Sequence, residues 1–134
     1  MLVRYKKSCE KIAMGLLSFM PQEKNLTNLR HTMLRYEKTP SWQLYLLKVN
    51  ESYVGLIGVE VEEDDFTIHH ISVLPSYRRE GYGLMMVEKL QQMMLKKEMK
   101  TTDETEEFLA KCRSKIAHSG ITGLAHTGLN HSYK

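Results

Sequence analysis

The chain has 134 residues, 42% of them hydrophobic and 26% charged, with a net charge of +3, which suits one soluble globular domain with a single sizeable core. That charge is too mild for a nucleic-acid binder but suits an acidic small ligand. The two cysteines, Cys9 and Cys112, fit no metal or disulfide spacing and read as reduced thiols in a cytoplasmic protein.

The opening MLVRY alternates apolar and polar residues, as a short strand does. From Lys7 to Phe19 the spacing of Ile12, Leu16 and Phe19 predicts a helix, ended by Met20-Pro21. Within it AMGLLSFMP imitates a secretory signal. However, its apolar core is short, Glu10 and Lys11 directly precede it, and no small-residue cleavage site follows. No segment reaches the roughly 18 apolar residues that span a bilayer, so no membrane partner is expected. A second helix is predicted over Leu26–Tyr36, with Leu26, Leu29, Met33 and Tyr36 on one stripe.

After the break at Thr39-Pro40-Ser41 the period becomes strand-like. Trp42–Val49 and Tyr53–Val61 flank a hairpin loop, Asn50-Glu51-Ser52, and Phe66–Val73 follows an acidic turn. Leu84–Lys97 reads as a helix with Val87, Leu90 and Met94 on one face, Glu98–Thr102 as a weak strand, and Asp103–Lys115 as a last helix. One domain is expected over residues 1–117, followed by a tail, 118–134, in which pattern is barely legible. His118, His126 and His131 lack the tight pair of a metal site, and no metal is expected.

The segment SVLPSYRREGYG joins the third long strand to the helix after it. Pro75 cannot donate to a ladder and stops the strand. Gly81 and Gly83 open the helix, whose N-terminus offers free N–H groups and a partial positive charge, and Arg78 and Arg79 add fixed cations. A diphosphate uses all of these together. A dinucleotide fingerprint fails, because Met86 stands where its third glycine belongs, and a phosphate-binding P-loop fails for want of Gly-Lys-Ser/Thr.

ISVLPSYRREGYG, with Val73, Pro75, Arg78, Gly81 and Gly83 in register, resembles the cofactor motif of the GNAT acyltransferases. The predicted element order is also that family's through about residue 115. RYKKSCEKIAMGLLSFMP and HHISVLPSYR are similar to its small members encoded among riboflavin biosynthesis genes. The resemblance implies an α/β (α+β) fold, a mixed, mostly antiparallel sheet flanked by helices, with degenerate C-terminal strands. It implies acetyl-CoA as cosubstrate and an amine on a small molecule or protein as acceptor, and it leaves room for a homodimer. The main chain of Ile71, Ser72 and Val73 would pair with the pantetheine arm. The N–H groups of Arg79, Glu80, Gly81, Tyr82, Gly83 and Leu84 would hold the pyrophosphate, with Arg78 beside it.

The pattern breaks at the general acid. The family's tyrosine falls on Leu109, which cannot donate a proton, so the acid is unassigned. For the base, His69 and His70 are candidates, with Glu60 and Glu62 as alternatives; a regular strand would place His69 on the face of Ile71 and Val73 and turn His70 away. Two functions are compatible with this reading: an N-acetyltransferase, and a non-catalytic acyl-CoA-binding regulatory module that keeps the cradle and has lost the acid.

Overall fold

The structure, a computed structural model, describes the backbone of residues 1–118 and the side chains of residues 1–114. Five strands form one sheet in the order β1-β2-β3-β4-β5: Leu2–Arg4, Trp42–Val49, Ser52–Val61, Asp65–Val73 and Glu98–Thr101. β1 to β4 are antiparallel in sequence, whereas β4 and β5 run parallel, joined by the crossover helix α3 (Tyr82–Met93). Helices α1 (Glu10–Leu17) and α2 (Leu26–Lys38) precede β2, and α4 begins at Asp103.

The strands are nearly continuous apolar runs because both faces of the sheet are covered. Leu44, Leu46 and Leu56 point into a core shared with Ala13, Leu16, Leu17, Leu29 and Met33 of α1 and α2. Their neighbours Tyr45, Leu47 and Ile57 point the other way, to Val87, Leu90 and Leu109 of α3 and α4. The period of two along each strand thus sorts side chains between two cores.

The first three helices differ in detail from the expected ones, each for a local reason. Lys7–Cys9 is a 3₁₀ turn, and α1 buries Ala13, Leu16 and Leu17, while Ile12 and Phe19 lie exposed. The buried face is one residue, about 100°, away from the predicted stripe, because alanine at position 13 lets the helix approach the sheet. Leu26 is the first residue of α2, ahead of the packed stripe, and is exposed; Asn25 caps that end by accepting from the Asn28 N–H. α3 stops at Met93, four residues early, since Lys97 N–H closes a tight turn onto Met94 and starts β5.

The hairpin loop is Asn50-Glu51 alone, both left-handed with φ of 47° and 69°, and Ser52 already pairs with Val49. Met86 stacks on β3 at Gly55, its Cε 3.0 Å from where a Cβ would stand. The small residue needed for close helix–sheet contact is therefore on the strand.

Candidate active site

β5 pairs with β4 only from Asp65 to Ile68, so from His69 to Val73 one edge of β4 is uncovered by any strand among the described residues. The phase of the ladder follows from Leu74 N–H, which donates to Val54 at 2.9 Å. Antiparallel pairs alternate. Ser72 therefore faces its partner Leu56, while the N–H and C=O of Ile71 and Val73 point to the uncovered edge. Arg78 Nε occupies one of these groups, donating to the Val73 carbonyl at 2.9 Å, with its guanidinium 5.2 Å from the centre of the Phe19 ring. A strand-like ligand finds the Ile71 groups and the Val73 N–H there.

β4 ends in a 3₁₀ turn, Pro75–Tyr77, whose proline has the fixed φ that such a turn needs. Two left-handed residues follow, Arg79 at φ 71° and Gly81 at φ 83°, and Gly81 is the N-cap of α3. Arg78 N–H bonds Pro75 and Met85 N–H bonds Gly81. Between them the six N–H groups from Arg79 to Leu84 have no partner among the described residues. Left-handed turns that aim successive N–H groups at one point, at a helix N-terminus, make an anion-binding concavity.

The two glycines divide the work. A Cβ on Gly81 would meet nothing within 4 Å, so glycine is there for its backbone angle. A Cβ on Gly83 would lie 2.9 Å from Phe108 and 3.1 Å from Cys112. The missing side chain of Gly83 serves the packing of α4 on α3, and only its N–H belongs to the cradle.

The histidines sit where the register of β3 and β4 shifts, between Gly58 paired with His70 and Val59 paired with Ile68. His69 is the extra residue of a β-bulge, which resets the strand's alternation. Phe66, Ile68, Ile71 and Val73 all face the α3–α4 core, while both histidine rings contact side chains of the α1–α2 face. The expectation that His69 shares a face with Ile71 and Val73 is corrected by that one residue.

The two rings have different surroundings. His70 is 4% exposed and uses both nitrogens: Nδ1 lies 2.6 Å from Tyr36 Oη and Nε2 3.0 Å from Glu23 Oε2. Glu23 is itself buried and accepts from Thr32 Oγ1 at 2.9 Å. Burial pushes the Tyr36 phenol well above its usual pKa, so its hydroxyl stays protonated. His69 is half-buried, stacked on Trp42 at 4.4 Å, with Nε2 3.0 Å from Glu60 Oε1. A carboxylate there fixes the Nε2–H tautomer and leaves Nδ1 as a free acceptor. Desolvation lowers the His69 pKa below 6.5, against the opposing pull of Glu60. The imidazole is therefore neutral, and able to take a proton, at neutral pH.

Of the predicted site residues, the fold brings His69 and Glu60 together and leaves His70 enclosed. Glu62 is exposed in the turn after β3 and does not join them. Leu109 is completely buried in the α3–α4 core, so its position faces no ligand. Sequence reasoning missed Glu23, Thr32, Tyr36 and Trp42. Only the aromatic residues carried a signal, as large side chains at the end of α2 and the start of β2. His126 and His131 lie outside the described residues, and among those described no group of three metal-ligating side chains forms. No helix among the described residues is long and apolar enough to cross a membrane.

Comparison with known proteins identifies the family and the fold. The acetyltransferase (GNAT) family model matches residues 10–109. The chain is 51% identical over 113 residues to an uncharacterized N-acetyltransferase in the lysA 3′ region of Bacillus methanolicus, covering 84% of this chain and 94% of that protein. Among solved structures, an aminoglycoside N-acetyltransferase in complex with CoA superposes with a TM-score of 0.64 at 14% identity, covering 90% of this chain and 85% of that one. A GNAT acetyltransferase from Elizabethkingia anophelis with acetyl-CoA bound gives a TM-score of 0.57 at 16% identity, over 74% and 61% of the two chains. The five-strand sheet with helices on both faces is the fold these enzymes share, and the chain belongs to the acetyltransferase (GNAT) family.

Proposed function

We propose that this enzyme transfers the acetyl group of acetyl-CoA to a primary amine, with His69 as the base. The carrying observation is the juxtaposition of three features along β4 and the turn that follows it: the free N–H groups of residues 79 to 84, the uncovered edge at Ile71 and Val73, and the His69–Glu60 pair where that edge begins. The cradle would take the pyrophosphate, with Arg79 supplying a cation. The pantetheine arm would add to the edge as a short strand, gaining main-chain hydrogen bonds. Arg78, held on the Val73 carbonyl, closes that end of the edge and is proposed as its wall.

The thioester would then lie beside the bulge. The amine nitrogen attacks the thioester carbon, the C–S bond breaks, and His69 Nδ1 takes the proton that the amine sheds. Glu60 steadies the resulting imidazolium through Nε2. No side chain at position 109 protonates the sulfur, so CoA leaves as a thiolate or takes its proton from solvent, the product amine or another residue such as Tyr82. A thiol pKa near 8.5 makes that slow but feasible. The link to riboflavin biosynthesis rests on the resemblance of two sequence segments, and riboflavin precursors therefore join polyamines and peptide lysines as trial acceptors. The test is CoA release from acetyl-CoA with that panel. Amine-dependent release supports the reading, and tight CoA binding without release to any amine refutes it.

A further inference from the structure

Two neighbouring loop residues reach from between α1 and α2 to the bulge. Gln22 and Glu23 lie in the 3₁₀ turn Pro21–Glu23, each 47 residues before the histidine it touches. Gln22 Nε2 donates to the main-chain oxygen of His69 at 3.2 Å, and the carboxylate of Glu23 accepts from the ring of His70 at 3.0 Å. Thr32 fixes Glu23 from α2, and Tyr36 holds His70 from its other side. The arrangement is demanding: a Cβ on Gly58 would overlap the Tyr36 hydroxyl at 2.1 Å.

It is also costly. Gln22 Oε1 is buried with no partner among the described residues. A buried acceptor left without a hydrogen bond destabilises a fold, and an apolar side chain of the same length would not. The bond that the amide does make ties the turn to the bulge at the main-chain oxygen of His69.

We propose that Gln22 and Glu23 are positioning residues. Together they grip the bulge so that the His69 imidazole is pressed onto Trp42 and Glu60 with Nδ1 left free. This rests on His69 being the base. The groups around that ring are Glu60 from β3, His70 from β4, Arg35 from α2 and Trp42 from β2. Loosening the grip exposes the ring, removing the desolvation that keeps its pKa low.

The test compares wild type with Glu23→Gln and Gln22→Met, both close to the native shape. The His69 imidazole is followed through a pH titration by nitrogen NMR, its signal identified by its loss in His69→Ala. In both variants the His69 pKa is expected to rise toward the ordinary 6.5. Removing the Glu23 charge acts electrostatically in the opposite direction, so the sign separates repositioning from simple charge loss. With one accepted amine, kcat should fall about tenfold while KM for acetyl-CoA stays unchanged. An unmoved His69 titration in both variants overturns the proposal even where His69→Ala abolishes turnover. Full turnover in His69→Ala overturns the base assignment and this proposal with it.

Discussion

Gly81→Val and Gly83→Val should fail in opposite ways. At Gly81 an added side chain meets no neighbour, so its cost is the left-handed φ of 83°. A non-glycine residue pays about 1–2 kcal/mol for that angle, and a β-branched one resists it further. The loop can relieve this strain by abandoning the angle, which turns the adjoining N–H groups away from a common point. Losing two hydrogen bonds to a charged group, at about 1.5–3 kcal/mol each, weakens CoA binding at least 100-fold. The melting temperature should drop by only a few degrees, at roughly 4 °C per kcal/mol for a chain of this size.

At Gly83 the new atoms run into Phe108 and Cys112. Overpacking of that kind costs about 1–3 kcal/mol, and the branched side chain belongs at the upper end, or about 10 °C. The folded fraction keeps its cradle and most of its affinity. Thermal melts and titration calorimetry of CoA on both variants read the two effects separately. Wild-type affinity in Gly81→Val would refute the cradle. A Gly83→Val protein that melts normally but no longer binds CoA would refute the division of labour between the two glycines.

His69→Ala should lower kcat by about 10²–10⁴-fold in the amine-dependent CoA-release assay, with CoA affinity by calorimetry unchanged. Because burial holds the His69 pKa below 6.5, the base stays unprotonated further into acid, and the acidic limb of the kcat/KM profile should fall below that pH; a limb above 6.5 would exclude this histidine in this setting. Leu109→Tyr places a larger, polar side chain in a fully buried position and should destabilise by about 2–4 kcal/mol in a denaturant titration, without raising turnover. Glu51 occupies a left-handed position at φ 69°, so Glu51→Gly should raise the melting temperature by roughly 2–6 °C, the salt bridge to Lys48 being exposed and worth little.

The parts of the fold that were legible in the sequence are those specified by adjacent residues. Apolar runs punctuated by Thr39-Pro40, Asn50-Glu51 and the acidic turn mark three strands, and Pro75, Arg78 and Gly81 announce the cradle within a few positions. The rest depends on distant partners. Which way His69 points is decided by β3, where Gly58 and Val59 offer one residue fewer than β4 supplies. A glutamate after a proline turn reads as solvated, and the burial of Glu23 is arranged by Thr32 and His70. The need for glycine at position 83 is set by a helix that begins 20 residues later, at Asp103. That Leu109 has no proton to give is plain from its side chain, but that it turns inward depends on α4 having a sheet to lie against.

The half-uncovered β4 also bears on how the protein behaves between catalytic cycles. A strand with unanswered main-chain groups is a template on which another chain can pair, and natural sheets blunt such edges with charge, proline or a bend. Here Arg78 caps the Val73 carbonyl, Pro75 and its turn end the strand immediately beyond, and the length left open by the described residues is only Ile71 to Val73. Two or three residues are too few to hold a foreign strand, yet enough to seat the proposed ligand, which the cradle would also grip by its phosphates. The same brevity that protects the empty enzyme from edge-to-edge aggregation thus makes its edge useful only to a molecule with a second point of attachment.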